Sequence, residues 1–185
     1  AVIRSCYHES FIHGPALTLM NSGTLLLGHP SVGSWVVYGL GCDSDSLPAY
    51  VAMTDGNFRN GSATYSSGFL PAVFQGTAFN AQKPIFNLAG PSGVSRATGA
   101  AARDVLKFLN EKHLEQFPGD FELSARIASY ELAAKMQLSV PEVADLSRES
   151  AATLETYGAN DSDPVRSGFA KNCILARRLL ERGVR

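Results

Sequence analysis

Apolar positions along the chain follow two regimes. Up to about residue 99 they come in short bursts divided by Gly, Pro, Ser and Asn, and beyond it they recur at helical spacing. Val2 to Tyr7 is a β-prone run too short for a helical period. Gly14-Pro15 breaks it, and Pro15 suits the first turn of a helix, where its missing N–H costs nothing. "ALTLMNSG" then reads as a short helix ended near Gly23. After the loop "GHPSVG", Ser31 is placed to cap a second helix, "VGSWVVYGLG", with Trp35, Val36 and Leu40 expected on its buried side. "PAYVAMTD", 48–55, is the strongest strand, with Tyr50 to Met53 buried on at least one face. "DGNFRNGSATYSSG" is turn-rich and expected to be exposed and mobile. "FLPAVFQGTAF" holds a helical turn and a short strand, and 81–99 is irregular, with "PIFNL" its strand candidate.

In the second regime, residues 100–117 form a helix with Leu106, Leu109 and His113 along one side. Phe121, Ala125, Ala128, Leu132 and Met136 recur at intervals of four, three, four and four, an amphipathic helix. Pro141 is expected to open a short helix through Leu146, and Ser147 to cap another ended at Tyr157-Gly158. The last helix, from Pro164 to Arg182, is expected to bury Phe169, Cys173, Ala176 and Leu180. The chain thus divides into a mixed α/β part, 1–99, containing the His13 turn, and a mainly helical part, 100–185. "AVIRSCY" reads as a strand under way and "VR" after Gly183 as the first step of another, the pattern expected of an internal segment of a larger domain.

Composition narrows the function classes. The chain is 45% hydrophobic and 18% charged with a net charge of -1, and its basic residues are scattered until the last helix. That excludes nucleic acid as the main partner, because phosphate binding needs a basic patch. Arg177, Arg178, Arg182 and Arg185 cluster at helical spacing, which reads as a solvated face. Cys6, Cys42 and Cys173 are far apart and odd in number, so they spell neither a disulfide framework nor a metal knuckle, and Cys173 reads as a small buried hydrophobe. No apolar run is long enough to span a membrane.

Several signatures fail. "GHPSVGSW" has P-loop-like glycines but lacks the phosphate-reaching Lys before Ser34, and no GxSxG, HExxH or clustered Cys/His set occurs. "SCYHESFIHGPALTLMNSGT", 5–24, survives: His13 falls at a strand-to-helix transition, where unpaired first-turn N–H groups favour an anion. An imidazole there can ligate a metal, donate to an anion or act as acid or base; it can equally be a capping or packed histidine. Asp55 and Arg59, in the loop after the strongest strand, face either a ligand crevice or plain solvent.

As a set, "VIRSCYHESFIHGPALTLMNSG", "GHPSVGSWVVYGLG", "LPAYVAMTD", "RIASYELAAKMQLSVPEVADLS", "ETYG" and "NCILARRLLERGVR" resemble the DUF1501 family, a sulfatase-like branch of the alkaline phosphatase superfamily, over the whole chain. The resemblance implies a three-layer α/β/α sandwich with metal ions at the C-terminal ends of its central strands. Laid on the sulfatase signature, Pro15 matches its Pro and Ser22-Gly23 its Thr-Gly pair; His13 falls on the nucleophile position and Leu17 on the Arg position. Formylglycine cannot form from His13. The family's upstream Gly-Gly-Pro stretch with its Asp, and its downstream Asp/His ligands, do not lie in these residues.

The expectation is therefore a partial α/β/α domain from a metal-dependent hydrolase of sulfate or phosphate esters, with a small molecule or a glycan ester as substrate. His13 is the candidate catalytic or metal-ligating residue and Gly14 the candidate substrate contact. Divalent metal is expected in the intact protein, with none held securely by this segment alone, and the segment alone is expected to have little activity. By resemblance the parent is periplasmic or exported. The competing expectation is a catalytically degenerate member acting as a glycan- or protein-binding module.

Overall fold

The computed structural model describes residues 2–54, 60–83 and 92–185, without the side chains of Arg96 and Leu138. Its elements run α1 (His13–Ser22), α2 (Val32–Leu40), β1 (Val51–Met53), 3-10 turns at Gly61–Tyr65 and Ala72–Phe74, β2 (Thr77–Phe79), α3 (Arg96–Gln116), α4 (Phe121–Ala144), a 3-10 turn at Leu146–Arg148, α5 (Ala151–Tyr157) and α6 (Pro164–Leu180). β1 and β2 pair in parallel, with Val51 opposite Thr77 and Met53 opposite Phe79. The protein is a helix-rich mixed α/β fold at this level.

The caps follow elementary chemistry. Ser95, Asp120, Ser150 and Asp163 each accept a hydrogen bond from a first-turn N–H of α3, α4, α5 and α6, meeting donors the helix itself cannot satisfy. Gly23 and Gly158 end α1 and α5 in the left-handed region, where a side chain would be strained.

The main core joins the two parts of the chain. Leu47 and Phe79 pack with Val140 and Val143 of α4, Leu175 and Leu179 of α6, and Val184. Full burial of each large side chain stabilises by about 1.5–3 kcal/mol. A smaller cluster of Ala159, Ala170 and Ile174 sits under Leu146 and Leu154.

Several expectations are corrected. Val2 to Tyr7 forms no strand; its side chains are exposed, and no described segment pairs with it. α2 buries Ser34 and Val37, while Trp35, Val36 and Leu40 are exposed, because the buried side of the helix meets backbone carbonyls rather than an apolar layer. The stretch after residue 59 is not wholly exposed, since Thr64 and Ser67 are buried. α4 runs through Pro141 instead of restarting there; the N–H that proline removes is offset by the burial of Val140 and Val143 on either side. The cap of α5 is Ser150, not Ser147. α6 buries Ser167, Gly168, Ala170, Asn172, Ile174, Leu175 and Leu179, while Phe169 and Leu180 are exposed and Cys173 is half-buried.

The C-terminal arginines are also more than a solvated face. Arg178 pairs with Glu149 at 3.0 Å, both side chains being 12% exposed, and Arg177 reaches the same carboxylate at 2.6 Å. "PIFNL", like Asp55 and Arg59, lies outside the described residues. "VR" makes one strand-like bond, the Arg185 N–H donating to the Ala49 carbonyl at 3.3 Å.

Candidate functional site

The His13 turn is a helix start without a cap. Ile12 is extended at φ -98° and ψ 131° and offers no capping side chain. The Ile12 carbonyl accepts the first intrahelical bond from Ala16 at 3.0 Å, and Pro15 has no N–H. The N–H groups of His13 and Gly14 therefore remain the open donors of the turn among the described residues, at the positive end of the helix. His13 is exposed and Gly14 half-buried.

What places this turn is an interaction across the chain. Thr18, 3% exposed, donates from Oγ1 to the Gly14 carbonyl at 3.2 Å. Asn60 Nδ2 in turn donates to Thr18 Oγ1 at 2.5 Å. A Cβ on Gly14 would lie 3.5 Å from Asn60 Oδ1, an ordinary van der Waals contact, so the two segments lie side by side here without requiring glycine. Asn60 comes seven residues after Met53, the last residue of β1, so His13 and Gly14 are tied to a part of the chain that follows that strand in sequence.

The strand ends are fastened by a second set of amides. The Thr54 carbonyl, just past β1, accepts from Asn80 Nδ2 at 2.5 Å and from Asn172 Nδ2 at 3.3 Å. Asn172 Oδ1 accepts the Ala81 N–H at 2.8 Å, so one buried amide on α6 holds the exits of both strands. Gly168 clears the way for the Gln82 side chain, which would collide with any Cβ there.

The other candidate histidines are not brought to His13. His8 Nδ1 accepts the Ser10 N–H at 3.2 Å, a local turn bond, and His29 packs edge-on against Phe69 with ring centroids 5.8 Å apart. Ser22, matched to the signature's Thr, donates to the Thr18 carbonyl at 2.8 Å inside α1. Among the described residues no three His, Cys, Asp or Glu side chains gather as a metal would require. Thr18, Asn60, Asn80 and Asn172 went unread in the sequence; their partners lie far along the chain, and a lone polar residue carries no periodic signal.

A buried uncharged network surrounds the start of α2. Ser34 Oγ is 3.0 Å from the Ser66 carbonyl, 2.9 Å from that of Phe74 and 3.1 Å from Ser31 Oγ. The Tyr50 ring fills the space a side chain on Gly33 would occupy, and burial raises the phenol's pKa, partly opposed by its hydrogen bond with Ser31.

The family model described as "Protein of unknown function (DUF1501)" matches residues 1–185. No curated protein and no solved structure matches the chain.

Proposed function

Because the chain belongs to the DUF1501 family, and because the start of α1 carries no side-chain cap and is tied through Thr18 to Asn60, we propose that it is part of a hydrolase of sulfate or phosphate esters. The finer reading is the three-layer α/β/α sandwich of the alkaline phosphatase type, exported or periplasmic, acting with divalent metal on a small-molecule or glycan ester. The observation that carries it is the Asn60–Thr18–Gly14 chain of hydrogen bonds, which fastens a helix start with two open backbone donors and an imidazole to a distant part of the chain.

An ester's anionic oxygens would accept from the His13 and Gly14 N–H groups, where the α1 dipole favours negative charge. The exposed imidazole would donate to the same anion or move a proton to or from it. The described residues alone do not complete a metal site. His13 offers one ligand nitrogen, and a divalent ion held there would polarise the ester.

The test pairs binding with turnover. Sulfate and phosphate should shift the His13 and Gly14 amide resonances saturably, and His13→Ala should lower kcat/KM on aryl sulfate or aryl phosphate at least hundredfold in the metal-supplied protein, the usual range for loss of an acid–base group. Wild-type turnover in that variant removes His13 from the mechanism. Saturable binding without turnover selects the binding-module reading, which draws on His13 standing where a nucleophile would and Leu17 where an Arg would.

A further inference from the structure

A groove of about 750 Å³ runs between the 67–72 loop and the first half of α4, apart from the His13 turn. We propose that it binds a neutral, unbranched oligosaccharide. Along α4 the lining residues are Phe121, Glu122, Ala125, Arg126, Ser129 and Tyr130. They form one stripe about 13 Å long at the helical rise, room for more than one sugar ring. Ala125, 9% exposed, is the floor. Phe69 forms the facing wall.

The chemistry of the lining selects the ligand. Phe69, Phe121 and Tyr130 are 64%, 79% and 72% exposed, so each offers open aromatic surface that can cover apolar C–H groups. Between them stand a carboxylate, a guanidinium and two hydroxyls, groups that together donate to and accept from ligand hydroxyls. Glu122 and Arg126 form no ion pair or side-chain hydrogen bond among the described residues, and their charges cancel, which disfavours a strongly anionic ligand. An added peptide strand would need an open backbone edge, and α4 offers none; a docked amphipathic helix would need an unbroken apolar stripe, which Glu122, Arg126 and Ser129 interrupt.

The groove is also built in advance. Phe69 is held by perpendicular ring contacts with His29 and Trp35, both at 5.8 Å. The loop carrying it is tied by Gln75, whose Oε1 accepts the Ser67 N–H at 3.0 Å and whose Nε2 donates to the Tyr65 carbonyl at 2.9 Å. A Cβ on Gly68 would strike the backbone of His29 and Pro30, so the loop seats directly on that segment. A wall ordered before binding spares the ligand the cost of ordering it.

The test is an amide-resonance titration of the whole chain with cellohexaose, mannohexaose and chitohexaose. At least one should shift residues 67–72 and 121–130 saturably. Phe121→Ala and Tyr130→Ala, at exposed positions, should each weaken that binding about tenfold without moving Tm. His13→Ala should leave it unchanged, which separates this site from the ester reading. No shift with any of the three at millimolar concentration, binding unaltered in both variants, or shifts produced by a proline-rich peptide and by no saccharide would each overturn the proposal.

Discussion

The two parts of the chain hold together by different means. Before residue 96 the charged side chains are Arg4, Glu9, Asp43, Asp45, Asp55, Arg59 and Lys83, and from Ser10 to Cys42 there is none. That part is knit by glycines packed against rings, by serine hydroxyls on backbone carbonyls, and by edge-to-face aromatics. After residue 96 come the capped helices and most of the ion pairs, several converging on Glu142 and Glu149. The difference teaches where each part is vulnerable. The first has steric and desolvation limits that salt and pH hardly touch, the second an electrostatic latch that both can loosen.

The strongest way to break the comparison is to remove what the parts share. Leu175→Ala, in the cluster that contacts both, should cost about 2–5 kcal/mol and lower both parts in one transition. Trp35, the only tryptophan, reports the first part, and helical circular dichroism reports mainly the second. Separate transitions in the wild type would show that the shared core does not couple them.

Next, Gly33→Ala pushes a methyl group into the Tyr50 ring and should destabilise by about 1–3 kcal/mol, with the loss equal at low and high salt. A salt-dependent loss would contradict an uncharged network. Ser34→Ala removes the hydroxyl that meets the Ser66 and Phe74 carbonyls and should cost about 1–3 kcal/mol, again independent of pH between 5 and 8 (roughly the range in which carboxylates and hydroxyls keep one protonation state).

The latch should respond to acid. The Arg177 contact holds the Glu149 carboxyl below its ordinary value of 4.5, so the charged form is favoured in the folded state. Its contribution is complete above the unfolded carboxyl's pKa and is lost as pH falls through the lowered folded value. Thermal melts should therefore show Glu149→Gln less stable than the wild type at neutral pH, the gap closing in acid. A gap constant with pH would place the effect in packing rather than charge. At the small end, Lys112→Ala breaks an exposed pair with Glu115 and should change stability by no more than about 0.5 kcal/mol.

Legibility followed the same division. Helical spacing of apolar residues located α4 and α6, although Phe121 and Ala128 of the α4 stripe and Phe169 and Leu180 of the α6 stripe are exposed, and Gly158 marked the end of α5 because turn residues are local. Which face of α6 is buried was not legible. Asn172 and Gly168 make contacts with Thr54, Ala81 and Gln82 that turn polar and small positions inward, against the hydropathy pattern. The same reason hid Ser34 in α2. Of the candidate site, Gly14-Pro15 and the open helix start could be read locally, whereas the hold that Asn60 exerts through Thr18 could not.

By itself, then, the sequence determined the helix stops at Gly23 and Gly158, the lack of a long apolar span and the unusual histidine at the start of α1, since each depends on residues near one another in the chain. Only the tertiary structure decided that α6 seals both strand exits, that Glu149 gathers two arginines, that His29 belongs to an aromatic wall rather than to His13, and that a groove opens beside α4. Those features depend on polar side chains meeting partners far along the chain, and the energy of such a meeting comes from geometry that spacing does not encode.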